Sequence, residues 1–143
     1  MSERRERKFP DKFGIMFLVC HNGKVLVEER IRPDSTNWGF YLIPAGGIET
    51  GEDPEKTMLR EAGEEHGIKP TQYYKLPTFE NVSLRGDFYQ ITPFLITRYE
   101  GEVVNKESEK CNLHWMTFEE AMAIVPLASS KLVLYQAQEV LSR

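Results

Sequence analysis

The sequence predicts a single α/β domain with a mixed, largely antiparallel sheet and helices on its faces. Its 143 residues fit one compact domain with its own core. Short apolar segments with strand character are separated by turn residues. Helical patterns do not alternate with these strands as they would in a doubly wound parallel sheet, so we expect a mixed sheet with helices packed on it.

The first two predicted strands form a hairpin. Residues 13–20 are mostly apolar, Asn22-Gly23 is a favoured two-residue turn, and residues 24–30 supply the return strand. Residues 31–37 carry the Pro and Asp of a loop. Residues 38–44 are apolar and aromatic and end at a proline.

A helix is predicted to begin after Asp53, which is a favourable cap, with Pro54 in its first turn. It ends at His66, because Gly67 is a natural residue beyond a helix C-terminus. His66 lies at the negative end of the helix dipole, so we interpret it as a charged cap interaction and not as a ligand.

Two longer strands, residues 73–82 and 88–99, are predicted on either side of a hairpin loop. Each contains one proline, Pro77 or Pro93, which favours an edge position or a bulge. After a loop that ends at Lys110, the remaining predicted elements are a short strand (112–116), a helix capped by Thr117 with Glu120 as its capping-box partner, and a helix over 129–141.

Composition and charge narrow the classes of function. The net charge of −4 argues against a surface for nucleic-acid polymers, and no apolar run approaches the ~20 residues needed to cross a bilayer. Cys20 and Cys111 without a secretory segment favour reduced thiols in a cytoplasm. Residues 1–11 are expected to form a mobile basic tail; the basic residues near this end are Arg4, Arg5, Arg7, Lys8 and Lys12.

Three glutamates of the predicted helix are candidate metal ligands. Glu61, Glu64 and Glu65 have i, i+3, i+4 spacing, which places them on one helix face although their charges repel. Such a cluster of hard oxygen donors binds Mg²⁺ or Mn²⁺, or else it is a solvated acidic face. Gly46-Gly47 precedes the helix and permits close approach of a phosphate or metal to the backbone.

This segment resembles the Nudix box, G-x5-E-x7-R-E-U-x-E-E-x-G-U, over residues 46–68. The matched positions are Gly46, Glu52, Arg60, Glu61, Glu64, Glu65, Gly67 and Ile68, and Ala62 is a small residue at the aliphatic position between them. The resemblance implies an α/β/α sandwich with a mixed, partly antiparallel sheet. It also implies hydrolysis of a nucleoside diphosphate linked to a group X.

The same resemblance implies roles for individual residues. Glu61, Glu64 and Glu65 would bind Mg²⁺, for which Mn²⁺ can substitute, together with the backbone carbonyl of Ala45. Glu61 or Glu64 would act as the base. Arg60 would orient the glutamates, and Glu52 would orient Arg60.

A further metal-binding glutamate is expected from a loop outside the box. The candidates are Glu107 and Glu109, in a charged loop that can equally be solvated. Residues 107–116 partly match a region of MutT-like nucleoside triphosphatases, although Trp115 lies between the two positions where that pattern has tryptophan.

Several substrates fit the resemblance. Chain length, the match after Glu107 and an aromatic residue at Tyr41 favour a MutT-like enzyme that converts a nucleoside triphosphate, standard or modified, to monophosphate and pyrophosphate. The motif Pro44-Ala45-Gly46-Gly47 favours ADP-ribose or a nucleotide sugar instead. A nucleotide-binding sensor without activity is the non-enzyme alternative, but such domains often lose box glutamates and this chain retains them.

Candidate substrate-binding residues are the box glycines Gly46 and Gly47 and a set of aromatic and basic side chains. Trp38, Tyr41 and Tyr89 could stack on a nucleobase or pack in the core. Arg30 could reach a phosphate; the other basic candidates are Arg32, Arg85 and Arg98. The expected partner is a small nucleotide and not a nucleic-acid polymer or a membrane, and a monomer and a homodimer are both open.

Overall fold

The computed structural model describes Pro10 and residues 12–143. The predicted basic tail of residues 1–11 therefore lies outside the described residues, apart from Pro10. In chain order the elements are β1 (Lys12–His21), β2 (Lys24–Arg30), β3 (Tyr41–Leu42), β4 (Ala45–Gly47), α1 (Pro54–His66), β5 (Lys69–Lys75), β6 (Phe79–Val82), β7 (Phe88–Glu100), β8 (Cys111–Thr117), α2 (Phe118–Ile124) and α3 (Ala128–Leu141). No helix in the described part of the chain is long and apolar enough to span a bilayer.

The strands form one mixed sheet in the order β3-β2-β1-β7-β5. β1 and β7 pair in parallel, whereas β2 pairs antiparallel with β1, β3 and β8, and β7 pairs antiparallel with β5 and β6. The short strand β4 pairs antiparallel with the first half of β1. The prediction of a mixed, partly antiparallel sheet is confirmed.

Strand β1 has buried side chains on both faces of the sheet. Successive side chains of a strand point to opposite faces. Accordingly, Phe17 and its alternate neighbours pack with Met58 of α1, whereas Leu18 packs with Ala121 of α2 and Leu134 of α3. Because helices cover both faces, the architecture is the predicted α/β/α sandwich, and β1 is apolar over nearly its whole length for this reason.

The local turn and cap signals produce the expected structures. Asn22 and Gly23 both have positive φ, 52° and 74°, as a type I′ hairpin turn requires. Asp53 caps α1 by accepting a hydrogen bond from the backbone N–H of Lys56, and Gly67 ends the helix in the left-handed conformation. The capping box of Thr117 and Glu120 at α2 is also confirmed.

The predicted strand over residues 73–82 is wrong, because two strands, β5 and β6, occupy residues 69–82 with Pro77 between them. Pro93 also lies in the central strand β7 and not at an edge. Its carbonyl accepts a hydrogen bond from the backbone N–H of Leu76 at 2.8 Å, so its nitrogen faces the gap between β5 and β6. A proline is tolerated there because neither antiparallel ladder needs its missing N–H.

Leu134→Ala is expected to lower the free energy of unfolding by about 2–5 kcal/mol, because this fully buried side chain packs α3 against the sheet. Leu132→Ala is the matched control on the same helix. Leu132 is 36% exposed, so its truncation should change stability by only about 0.5 kcal/mol. Urea unfolding of both variants measures the difference, and equal losses would contradict the assigned packing of α3.

Candidate active site

Strand β4 runs directly against the acidic face of α1. A Cβ added to Gly46 would lie 2.7 Å from Cδ of Glu61, whereas one added to Gly47 would meet no atom within 4 Å. Gly46 therefore allows the β4 backbone to approach the Glu61 carboxylate closely, which a larger residue would prevent. Ala45, the predicted carbonyl ligand, is the residue that precedes this contact.

Arg60 is the centre of the hydrogen-bond network on this face. Its Nε and Nη2 donate to Oε2 and Oε1 of Glu52 at 2.8 and 2.9 Å, which is a bidentate pair. Its Nη1 donates to Glu61 Oε1 at 3.0 Å and to Glu64 Oε2 at 3.1 Å. One guanidinium thus connects the loop before α1 to two of the three glutamates that we call the box glutamates, Glu61, Glu64 and Glu65.

Glu52 is held in its anionic form. The hydrogen bonds from Arg60 are the main reason that its pKa falls to about 2, and bonds from the backbone N–H of Glu49 and the hydroxyl of Thr57 add to the effect. A carboxylate with so low a pKa does not take up protons near neutral pH. Its position suits the orienting of Arg60 and not the transfer of a proton.

The box glutamates share one face but differ in depth. The Glu61 side chain is 14% exposed and that of Glu64 is 61% exposed. Oε2 of Glu65 is buried without a hydrogen-bond partner. The face therefore extends from solvent at Glu64 into the interior at Glu65.

Glu28 of β2 belongs to the same acidic group, and sequence reasoning missed it. It is only 2% exposed, its Oε2 has no hydrogen-bond partner, and Arg30 Nη2 lies 3.4 Å away. Burial raises the pKa of Glu28 despite the opposing charge of Arg30. The available signal was a glutamate that directly follows the apolar residues Val25 to Val27 on a strand whose neighbours are also apolar.

These carboxylates fit a divalent cation. Burial is the largest cause that raises the pKa of Glu65, followed by the charge of Glu28 and a hydrogen bond with Glu61. Carboxylates forced together in this way are costly to ionise, and a hard divalent cation relieves that cost by binding their oxygens. The buried oxygens of Glu28 and Glu65 that lack partners have the chemistry of such a donor set.

Of the two loop candidates, Glu107 acts electrostatically on this acidic group. Its charge contributes to the raised pKa values of Glu28 and Glu65. Glu109 is exposed, and its charge acts on Arg32 instead. The structure therefore brings Glu107, and not Glu109, toward the box glutamates.

Two cavities share Arg30, the residue that contacts Glu28. The first, of about 340 Å³, is lined by Ala45 of β4, Tyr89 of β7, Asn81 and two arginines, Arg30 and Arg85. The second, of about 240 Å³, has a strongly basic lining: Arg30, Arg32, Arg85 and Lys110 with Asp34 and Ser35. Arg30 and Arg85 line both cavities, and Arg30 links them to the acidic group through its contact with Glu28.

A third cavity of about 350 Å³ is lined by Gly46, Gly47 and Tyr89. Trp38 lines none of these three cavities and is 59% exposed. Tyr41 lines none of them either, because its ring packs against the core and lies 5.8 Å from that of His114. Of the three aromatic candidates, only Tyr89 lines a cavity together with residues of β4.

The interpretation of His66 as a charged helix cap is wrong. The residue is 1% exposed, and burial lowers its pKa to about 4, so the ring is neutral near pH 7. Neither ring nitrogen has a hydrogen-bond partner. A periodicity argument places this side chain near the helix end but cannot show that the ring points into the interior.

Glu52→Gln is expected to destabilise the protein most clearly near neutral pH. A carboxylate whose pKa is lowered on folding contributes stability above its ordinary value of 4.5, and that contribution disappears as the pH falls toward 2. The difference in unfolding free energy between wild type and variant should therefore shrink between pH 4.5 and pH 2. Urea unfolding at pH 7, 4 and 3 measures it, and a constant difference would contradict the assigned pair.

Comparison with known proteins identifies the family. A family model described as the NUDIX domain matches residues 8–138. An RNA pyrophosphohydrolase of Sphingopyxis alaskensis is 46% identical over 55 residues, which are 38% of this chain and 32% of that protein. The NAD-capped RNA hydrolase NudC of Haemophilus influenzae is 29% identical over 117 residues, covering 79% of this chain and 42% of NudC.

A shorter relative is covered more completely. The 8-oxo-dGTP diphosphatase of Proteus vulgaris is 31% identical over 92 residues, which are 63% of this chain and 80% of that enzyme. The chain thus spans only about a third to two fifths of the first two relatives.

The solved structures agree on the fold. A MutT NUDIX hydrolase from Burkholderia pseudomallei superposes with a TM-score of 0.75 at 21% identity, over 87% of this chain and 96% of that one. At this identity the likeness supports the fold alone. Because the family model covers nearly the whole chain and the box is intact, the chain belongs to the Nudix family.

Proposed function

We propose that this protein hydrolyses a phosphoanhydride bond in a nucleoside diphosphate linked to a group X. The favoured substrate is a nucleoside triphosphate, standard or modified, which would be released as monophosphate and pyrophosphate. The favoured cofactor is Mg²⁺, with Mn²⁺ as a substitute. We further propose that residues 1–143 act as one domain on a small nucleotide in the cytoplasm.

The observation that carries this proposal is that Arg30 contacts the buried carboxylate of Glu28 and, with Arg85, lines two cavities. Arg60 holds Glu61 and Glu64 in place through direct hydrogen bonds, while Arg30 contacts Glu28 and lines both cavities. A polyphosphate with bound cations needs both environments at once. Carboxylates hold the cations, and arginines bind the phosphate oxygens that the cations leave free.

Different residues are proposed to bind the cation, to orient its ligands and to act as the base. A divalent cation bound here would neutralise phosphate charge and lower the pKa of a bound water. The box glutamates, the Ala45 carbonyl and Glu107 are the proposed ligands, and Arg60 and Glu52 fix their orientation. Glu61 or Glu64 is the proposed base, and the exposure of Glu64 gives it direct access to water.

The nucleoside end is proposed to occupy the first cavity, whose volume of about 340 Å³ lies within the range of small-molecule sites. Tyr89 offers a ring for stacking on a base, and Asn81 and Ser83 offer hydrogen bonds to its edge. The relative named as an 8-oxo-dGTP diphosphatase, of which 80% is covered, supports a triphosphate.

A phosphorylated 5′ end of RNA is the second candidate. One relative is named an RNA pyrophosphohydrolase and another an NAD-capped RNA hydrolase, and the second cavity adds Arg32 and Lys110 to the basic residues near Arg30. The phosphate of a following nucleotide would interact with these basic side chains. ADP-ribose remains the alternative that Pro44-Ala45-Gly46-Gly47 favours.

A substrate panel with product analysis tests the proposal. With Mg²⁺ present, nucleoside triphosphates should give monophosphate and pyrophosphate, whereas AMP with ribose 5-phosphate from ADP-ribose would support the alternative. A 5′-triphosphorylated oligoribonucleotide belongs in the panel as the second candidate. If none of these substrates is turned over, the protein is not the proposed hydrolase and the sensor interpretation gains support.

Gly46→Ala is expected to lower activity and Mg²⁺ affinity by about 10- to 100-fold, the usual effect of disturbing a group that orients a ligand. The new methyl group would displace the Glu61 carboxylate, which can move without unfolding the domain. Gly63→Ala on α1 is the matched control, because its Cβ would meet only the carbonyl oxygen of Ile68, at 3.9 Å. Circular dichroism checks the fold, and equal activity of both variants would contradict the role of the Gly46 contact.

A further inference from the structure

A second donor set lies at the buried end of the acidic face. It consists of Glu28 on β2 and the neighbouring residues Glu65 and His66 at the end of α1. One oxygen from each carboxylate and one imidazole nitrogen all lie within 4.8 Å of one another. Three side chains from two elements therefore converge on a volume that a single ion could fill.

The donors in this cluster lack hydrogen-bond partners. Both nitrogens of His66, Oε2 of Glu28 and Oε2 of Glu65 are buried without one in the described structure. His66 is 1% exposed and packs edge-on against Phe17, with the ring centroids 5.6 Å apart. Buried polar atoms are nearly always bonded, so several unbonded atoms at one place indicate a ligand that completes them.

The charge of the cluster indicates what that ligand is. Two carboxylates bring up to two negative charges into a buried place, and Arg30 is near only one of them, at 3.4 Å from Glu28. When the carboxylates are ionised, a neutral molecule would satisfy hydrogen bonds but would leave their charge uncompensated. A divalent cation both compensates the charge and accepts electron pairs from all three side chains.

We propose that Glu28, Glu65 and His66 form a divalent-cation site with mixed oxygen and nitrogen donors, which takes Mn²⁺ or a later first-row transition metal in preference to Mg²⁺. It extends the proposed active site, with which it shares Glu65, and in that respect it rests on the proposed function. Imidazole suits transition metals, whereas Mg²⁺ favours oxygen ligands in octahedral geometry. The box glutamates alone offer only oxygen.

Mn²⁺ alone is the probe that tests this site. Pulsed electron paramagnetic resonance of the Mn²⁺-loaded full chain should show coupling to an imidazole nitrogen. His66→Gln should abolish that coupling, and His114→Gln should retain it, since His114 contacts Glu29 elsewhere in the molecule. No nitrogen coupling in the wild type at saturating Mn²⁺ would overturn the proposal.

Titration of free Mn²⁺ provides an independent measurement. Glu28→Gln keeps the shape of the side chain but removes a charged donor. It should lower the affinity of the nitrogen-coupled site for Mn²⁺ by about 10-fold or more. Glu139→Gln on α3 is the control, because it removes one carboxylate from an exposed position. Unchanged Mn²⁺ binding in folded Glu28→Gln would also overturn the proposal.

The proposed function and this site can fail separately. Glu64→Gln should lower nucleotide turnover while it preserves the nitrogen coupling, because Glu64 is outside the cluster. Nitrogen coupling in a protein that hydrolyses no nucleotide would leave the cation site standing and refute the proposed function. Turnover without nitrogen coupling would refute the cation site alone.

Discussion

The bidentate pair between Arg60 and Glu52 is the interaction on which the arrangement of the candidate site depends. It fastens the loop before α1 to the helix, and the remaining guanidinium nitrogen holds Glu61 and Glu64. Without this cation, glutamates at i, i+3 and i+4 would repel one another and spread into solvent. The pair therefore keeps an electrostatically unfavourable group of carboxylates in a defined position.

The sandwich supplies the second constraint, because it determines how deeply the carboxylates are buried. α1 packs on one face of β1 through residues such as Met58, and this packing leaves Glu65 against the sheet. Glu28 reaches the same place from β2, which pairs with β8 on the side that carries the loop of Glu107. Apolar packing thus provides the free energy that holds like charges together, and the charges in turn create affinity for cations.

The local elements could be predicted from short-range signals. Hairpin, caps and the bounds of α1 follow from residues such as Asn22, Asp53 and Gly67, whose effects act within a few positions along the chain. Predictions failed where partners distant in sequence decided the result. Pro93 is tolerated in the central strand because of a break between β5 and β6, and His66 is neutral because its ring is buried in the interior.

The sequence by itself determined the family, the face shared by the box glutamates and the contact of Glu52 with Arg60, because a helix repeat and a motif encode all three locally. Only the tertiary structure decided that Glu28 and His66 lie beside Glu65, that Glu107 acts on this group in preference to Glu109, and that Arg30 and Arg85 line the same two cavities. The physical reason is the same in each case. Burial and charge proximity arise between strands and loops that are far apart in the chain, and no local pattern records them.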